Sequence, residues 1–406
     1  MFYTKHNQVW WNRMNILPVN FGNTYNIRKI PSNNNLTAKQ TSPLKTDSIS
    51  FGRTGYIMAD ALEHQLGKPE NVKRMNRIAT IYMDILESVA KELKDEGVSF
   101  DRTYCQKHAI KSPKAYRSKI SRSGSFDVRD GVRATLYCSS LYDLSVLNNK
   151  ILPVLENRGL VVAKTEVPLE KMLKKGYVPT KTELEKQEIL VPDLDIRLYG
   201  VDDQLTKLDS KYQYLISSPQ GSGYEDIQIR FVRDYDNKAF PVLHELIILP
   251  GKNFAKAKYY ESDKIYKNTR QLDELNFIKN MKDEKYLALA KRHISIIKSM
   301  LSFGISQKLF GCAKNIDVYN INDNIILNMP AQDITVIKNS FSELRKVAKE
   351  YYDLLESRVK TDASLKKIKN DRTADSKLLT DLQKNVLESI NFFNEIKSFK
   401  NLPEMP

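Results

Sequence analysis

The residues best suited to binding phosphate lie in a short basic stretch, KSPKAYRSKISR, that begins at Lys111. Ser112 is a good N-cap residue and Pro113 suits the first position of a helix, so the stretch predicts a helix start. Lys119 and Arg122 would share one face of that helix. Lys and Arg converging on a helix N-terminus form a polyphosphate site, and a solvated basic helix is the alternative interpretation.

An acidic residue closes this stretch. Asp130 lies at the mouth of a strand-like run, three residues before Arg133. From Lys107 to Arg133 there are eight Lys or Arg residues and only two acids. A carboxylate in such a cationic region is explained if a divalent metal joins it to phosphates. A turn aspartate explains it equally well.

A later segment, GSGYEDIQIRFVRD, predicts a strand with one polar and one apolar face. Ile227, Ile229 and Phe231 alternate with polar residues and would face the core. The opposite face carries Tyr224, Asp226, Gln228 and Arg230. An aromatic ring, a carboxylate, an amide and a guanidinium could form the floor under a nucleobase. An amphipathic edge strand is the alternative.

The segment PVLHELIILPG contains a single carboxylate, Glu245, in an otherwise apolar strand. A carboxylate in such a position costs free energy unless it is paired or binds a metal, so it is a candidate for function. A buried structural salt bridge is the competing interpretation.

The elements that must position these residues indicate an α+β fold with a mixed β-sheet flanked by helices. Residues 1–53 are rich in Asn, Ser, Thr and Pro and predict a flexible leader. Residues 54–270 hold an amphipathic helix ending before Gly97 and then a series of short strands. Residues 271–406 read as helical, with a pair of long amphipathic helices forming an antiparallel hairpin.

Composition narrows the class of partner. The chain has 406 residues, a net charge of +15 and a sequence pI of about 9.3, which suggests anionic partners such as nucleotides or RNA. Three widely spaced cysteines argue against a disulfide scaffold and structural zinc and favour a reducing, cytoplasmic location. No run approaches the roughly 20 apolar residues that cross a bilayer, so no membrane partner is expected.

Taken in order, these segments resemble the synthetase domain of the RelA/SpoT family, the alarmone-type pyrophosphokinases with a nucleotidyltransferase-like core. The family's R-x-K-S-x-x-S-x-x-x-K-x-x-R is matched at four of six positions, and its D…G-[IV]-R strand by the run from Asp130 to Arg133. Its G-Y-x-x-[IL]-H, E-[IL]-Q-[IL] and E-H-x-x-x-Y-K motifs are echoed from Gly223, Glu245 and Glu261. The resemblance covers residues of about 105 to 270 and neither the leader nor the C-terminal helices.

The resemblance implies Mg²⁺-dependent transfer of pyrophosphate from ATP to a ribose 3′-hydroxyl, of a purine nucleotide or of a tRNA 3′ end. Asp130 and Glu245 would hold Mg²⁺, and Glu245 would also help to deprotonate the attacking hydroxyl. The residues implied for ATP binding are Lys111, Ser112, Lys119, Arg122 and Arg133, and those implied for the acceptor are Tyr224, Gln228 and Lys267.

The chain also departs from the family pattern. Ala109 and Ala115 replace the Arg and Ser of the first motif, Gln228 replaces a His and Ile247 replaces a Gln. The family's metal Asp would fall at Val128, between Asp127 and Asp130, and of these two only Asp130 keeps the odd spacing to Arg133. Asp195 is a spare metal-ligand candidate. These departures support a second hypothesis, a catalytically degenerate protein that binds nucleotide or RNA and acts through its C-terminal helices. A third hypothesis is a general basic RNA-binding protein.

Overall fold

The computed structural model describes residues 67–115, 130–232, 244–322 and 325–405. The predicted leader, residues 1–53, lies outside them. The fold is α+β, as predicted, with a mixed β-sheet flanked by helices and followed by a helical region.

The first described helix, α1 (Pro69–Glu92), has the predicted apolar face. Pro69 occupies its first turn, where the missing N–H costs nothing. After a short 3₁₀ turn, Gly97 takes φ 75° and starts the first strand. A Cβ at that glycine would lie 2.3 Å from Ser139 Oγ, so the turn needs glycine for both conformation and space.

The main sheet has six strands: β1 (Val98–Phe100), β2 (Val132–Cys138), β3 (Val161–Val162), β6 (Leu194–Arg197), β7 (Asp226–Val232) and β8 (His244–Leu249). Their order in the sheet is β1-β2-β8-β7-β3, and β6 also pairs with β7. β2 and β8 are parallel neighbours, whereas the other pairs are antiparallel.

The remaining two strands, β4 (Lys164–Pro168) and β5 (Glu188–Pro192), form a separate antiparallel hairpin. Between them lie α4 (Leu169–Leu173) and α5 (Lys181–Lys186). The Lys/Glu-rich segment that joins these two strands therefore contains two short helices.

The two faces of the main sheet differ in polarity. One face carries Val132, Ile227, Ile229, Leu246 and Ile248, which join a hydrophobic core with α1 and with the helical segment that follows β2. That segment is α3, in three consecutive parts: Leu144–Val146, a π turn at Leu147–Ile151, and Leu152–Asn157. The other face carries the polar residues of β2, β6, β7 and β8, and we call it the polar face.

Helices follow the sheet from residue 252 onward. Those before the hairpin are α6 (Lys252–Glu261), α7 (Lys267–Gln271), α8 (Asn276–Asn280), α9 (Glu284–Leu301) and α10 (Gln307–Asp317), with π turns at Ser262–Tyr266 and Ser302–Ser306. The predicted helical hairpin is α11 (Ala331–Arg358) and α12 (Asp362–Ile396), which pack against each other. Earlier in the chain, α2 (Arg102–His108) precedes β2.

A second hydrophobic core lies among these C-terminal helices and reaches the sheet. It contains Phe254 and Phe277 from either side of residue 270, together with Tyr137, Tyr224 and Leu249 from the strand region. The C-terminal helices are therefore packed directly on the sheet. In the described part of the chain, none of the helices is both long and apolar enough to cross a bilayer.

Candidate nucleotide site

Glu245 lies at the centre of the polar face. Its strand β8 is the third of the sheet, and the register places Glu245 between Arg133 of β2 and Arg230 of β7. Cross-strand neighbours share a face, so all three side chains emerge on the same side. Glu245 is 7% exposed, and its Oε1 lies 2.9 Å from the Arg230 guanidinium. The salt bridge predicted as one alternative is present.

Arg230 ties this carboxylate to the rest of β7. Its guanidinium also lies 3.3 Å from Asp193 Oδ1 and donates to Gln228 Oε1 at 2.9 Å. Gln228 in turn donates to Asp226 Oδ2 at 3.0 Å. Gln228 therefore links two buried salt bridges. These contacts hold its side-chain amide, which is not presented to the nucleobase of a ligand.

Asp226 is the centre of the second pair. It is fully buried and receives Arg197 in a two-point contact, with Nε and Nη2 each 2.7 Å from a carboxylate oxygen. A bidentate guanidinium–carboxylate pair is the geometry that best offsets the cost of burying both charges. The Tyr224 hydroxyl donates to the same carboxylate at 2.6 Å.

Tyr224 is buried, although the family resemblance implied that it would bind the acceptor. Its ring packs against Phe254 and Phe310, with centroids 6.0 and 5.5 Å away. Burial and the Asp226 carboxylate raise the pKa of Tyr224 well above its usual value, so its hydroxyl stays protonated. In this conformation, the rings of Phe254 and Phe310 contact Tyr224, where the base of an acceptor was expected.

Lys258 on α6 is a functional candidate that sequence reasoning missed. Its ammonium lies 5.0 Å from the Tyr224 ring centroid, and no carboxylate lies within salt-bridge distance of it among the described residues. Burial lowers the pKa of Lys258, as do Arg133 and Arg197, whereas Asp226 and Glu245 act in the opposite direction. The ammonium of Lys258 therefore lies beside Tyr224, close to the buried Asp226 pair.

The signal for Lys258 was its position on one face of a helix. Phe254, Lys258, Glu261 and Ile265 recur at helical spacing, and the other three are buried. A lysine in such a stripe is carried inward by its neighbours. Recognising it required knowing that α6 packs over the polar face, which the sequence did not reveal.

Arg133 is fixed by the end of α2. Its Nε donates to the His108 carbonyl at 2.9 Å, and its backbone N–H donates to the Ala109 carbonyl at 2.8 Å. Burial lowers the pKa of His108, and the guanidinium of Arg133 lowers it further. Within the described ranges Arg133 has no carboxylate partner.

The predicted phosphate helix is described only at its start. Ser112 Oγ accepts the backbone N–H of Ala115 at 3.3 Å, which is the predicted N-cap. Lys111 forms a salt bridge with Asp130, with Nζ and Oδ2 at 2.6 Å and both side chains largely buried. Lys119 and Arg122 lie outside the described residues.

Two predicted residues remain: Lys267 lies apart from this cluster, whereas Asp195 is the cross-strand neighbour of Gln228 on the polar face. Lys267 is on α7, is 63% exposed and pairs with Asp263 one helical turn earlier, at 3.0 Å. The spare metal-ligand candidate, Asp195 on β6, accepts a hydrogen bond from Ser217 Oγ at 2.6 Å and lies 3.8 Å from Arg197.

The predicted metal ligands are two carboxylates, each already beside a cation. Asp130 contacts Lys111 and Glu245 contacts Arg230. Among the described residues, no group of three or more His, Cys, Asp or Glu side chains is arranged to hold a metal. The donor chemistry still suits Mg²⁺, which commonly takes only one or two protein carboxylates and completes its shell with phosphates and water.

Two cavities lie beside the loop before β7, and neither is lined by Arg133, Glu245 or Lys258. The larger, of ≈ 340 Å³, is lined by Gly221, Glu261, Tyr266, Arg270 and Ser306 among others. The smaller, of ≈ 270 Å³, lies between the loop before β7 and α10. In the larger cavity Glu261 is only 9% exposed.

No protein-family model matches the chain, and no curated protein matches it significantly.

Proposed function

We propose that the polar face binds a nucleoside triphosphate and that the protein transfers pyrophosphate from ATP to a ribose 3′-hydroxyl. The observation that carries this proposal is a pair of cations, Arg133 beside Glu245 and Lys258 beside Tyr224, that have no carboxylate partners of their own among the described residues. Cations held without a protein counter-ion favour an anionic ligand, and phosphate oxygens are the anions that guanidinium and ammonium groups bind well. The resemblance to RelA/SpoT synthetases supports the same assignment.

In this proposal the chain positions charge more than it performs covalent chemistry. Arg133, Lys258 and Lys111 bind the phosphates, and Asp226 with Arg197 keeps the floor of the site rigid. Glu245 accepts the proton of the 3′-hydroxyl as its oxygen bonds to the β-phosphorus of ATP. The bond between that phosphorus and the oxygen bridging to the α-phosphorus breaks, and AMP leaves with the oxygen.

Magnesium belongs to the proposal through Asp130 and Glu245. When bound there, Mg²⁺ would neutralise charge on the triphosphate. Lys111 and Arg230 would then each contact both a carboxylate and the phosphates. Lys111 lies beside Asp130, and Arg230 lies beside Glu245.

Compartment and acceptor complete the proposal. The three cysteines are free and buried, which supports a reducing compartment such as the cytoplasm. The acceptor is a purine nucleotide or a tRNA 3′ end.

The same ion pairs favour a second candidate function, nucleotide binding without transfer. Glu245 bound to Arg230 and Asp130 bound to Lys111 are stable structural pairs that need no metal. A degenerate protein of this kind would signal through the C-terminal helices that pack on the site.

Incubation with ATP labelled on its terminal phosphates, with GDP, GTP, ATP or tRNA in turn, separates the two functions. With Mg²⁺ we expect label to move to one acceptor class. Glu245→Gln should reduce that transfer by about 10²–10⁴-fold, as expected for loss of a proton acceptor, while ATP-analogue binding persists. Glu185→Gln, at an exposed position on α5, is the matched control.

Absence of transfer by the wild type to any acceptor, with Mg²⁺ or Mn²⁺ present, would establish the binding function in its place. Strongly salt-dependent RNA binding with no response to ATP would instead support the general RNA-binding hypothesis.

A further inference from the structure

The residue between Tyr224 and Asp226 points away from the polar face and toward the C-terminal helices. This residue, Glu225, is buried. Its carboxylate accepts three hydrogen bonds: from the Tyr142 hydroxyl at 2.9 Å, the Tyr199 backbone N–H at 2.8 Å and the Lys314 ammonium at 2.9 Å.

Of these three donors only Lys314 carries a charge. A buried carboxylate that keeps neutral donors but loses its cation is strongly destabilised. Lys314 is itself held at a second point, because its ammonium lies 4.2 Å from the centroid of the Tyr142 ring. The Lys314–Glu225 pair is therefore a fixed link between α10 and the start of β7.

Two further contacts join α10 to the loop before β7, which contains Gly221 and Tyr224. Gln307 Nε2 donates to the Gly221 carbonyl at 2.7 Å. Phe310, one turn later, packs its ring on Tyr224. Three successive turns of α10 thus contact the segment that ends in Tyr224 and Asp226.

The far end of α10 holds the helix that carries Lys258. Asp317 accepts the Phe254 backbone N–H and the Asn253 side-chain amide, both at 2.8 Å, and so caps the first turn of α6. The fit is close, since a Cβ at Gly251 would lie 2.2 Å from the Asp317 carboxyl carbon. One helix therefore fixes both the loop and α6 relative to the sheet.

We infer that α10 is the positioning element of the site and that Lys314 positions Tyr224 and Asp226 through Glu225. Lys314 is a positioning residue and not a catalytic one, because its ammonium contacts Glu225 and the Tyr142 ring, neither of which belongs to the polar face. Only the predicted change in kcat rests on the proposed function. The predicted ordering of the loop before β7 does not depend on that function.

The test is Lys314→Met, which keeps the length of the side chain and removes its charge. Loosening of Tyr224 and Asp226 should reduce the kcat of transfer at least ~10-fold while the KM for ATP changes by less than about 3-fold, because orientation is lost before binding is. Hydrogen exchange should rise in residues 217–226 and stay unchanged in the β4–β5 hairpin. Lys314→Arg should restore both readouts.

The matched control is Lys308→Met on the same helix, since Lys308 contacts the Asn328 carbonyl and not the loop. The double variant Glu225→Gln/Lys314→Met should recover most of the lost kcat, because a neutral amide needs no cation beside it. It also guards against poor folding of the single variant.

The outcomes separate the two proposals. If the wild type transfers nothing, the proposed function fails, and the exchange comparison still decides the positioning role. Exchange and kcat for Lys314→Met that match the Lys308→Met control would overturn the inference. So would an increase in exchange throughout the chain, because Lys314 would then serve general stability alone.

Discussion

The buried carboxyl of Glu261 makes the stability of the protein depend on pH in a definite direction. Glu261 lies on α6, one turn beyond Lys258, and lines the cavity of ≈ 340 Å³. Among the described residues, its carboxyl accepts one hydrogen bond, a long one from Ser306 Oγ at 3.4 Å. Burial raises its pKa from 4.5 to about 7, against smaller opposing effects of Ser306 and Lys258.

The size of the effect follows from that shift. Between pH 4.5 and about 7 the unfolded chain releases the Glu261 proton while the folded protein keeps it, so stability falls as pH rises. Above pH 7 the loss is complete, and 1.36 kcal/mol per pKa unit gives about 3 kcal/mol in total. The charged groups that line the same cavity are Arg270, Asp273 and Lys298.

Glu261→Gln removes this titration and keeps the shape of the side chain. We expect the variant's free energy of unfolding to exceed that of the wild type by a margin that grows by about 2.5 kcal/mol from pH 5 to pH 8.5. Urea unfolding followed by far-ultraviolet circular dichroism at several pH values measures the margin. Glu404→Gln, at a carboxylate that is 94% exposed, should show almost no pH-dependent margin. A Glu261→Gln margin that is constant within about 0.5 kcal/mol across this range would refute the reasoning.

Two further predictions concern binding and the C-terminal core. Lys258→Met should weaken binding of a non-hydrolysable ATP analogue by ~10-fold or more in calorimetry, because a charge-assisted contact is worth about 1.5–3 kcal/mol. The control is Lys252→Met, at an exposed position. An equal affinity in the two variants would contradict the role of Lys258 in phosphate binding. Asp375→Asn should lower the free energy of unfolding by about 1–3 kcal/mol in a urea titration, because this buried carboxylate accepts the Phe277 backbone N–H at 2.8 Å and the Tyr352 hydroxyl at 2.6 Å. An unchanged midpoint would show that the hydrogen bonds are replaceable.

The sequence predicted elements better than it predicted partners. Alternation of Ile227, Ile229 and Phe231 with polar residues identified β7 and both of its faces, because a strand's side chains alternate whatever lies beside it. Glu245 stood out as the only acid in an apolar strand. Its partner Arg230 could not be assigned, since pairing depends on register, and a slip of one residue turns every side chain to the other face.

Tertiary packing decided what local patterns could not. The alternation placed Tyr224 on the polar face, and Phe310 from a helix far along the chain covers its ring. Lys258 appeared as an ordinary helical lysine until the packing of α6 placed its ammonium 5.0 Å from the centroid of the Tyr224 ring. The predicted N-cap Ser112 is confirmed, because a cap depends on residues only a few positions away.

The parallel pairing of β2 with β8 has a consequence for how the protein folds. The α11–α12 hairpin joins segments adjacent in the chain and can form early, whereas Arg133 and Glu245 meet only after a long intervening loop has closed. The central pairing of the sheet should therefore form late, after the chain through β8 has been made. Until then, the edges of β2 and β7 that pair with β8 lack a partner strand. Refolding at high protein concentration should therefore lose protein to aggregation at this step.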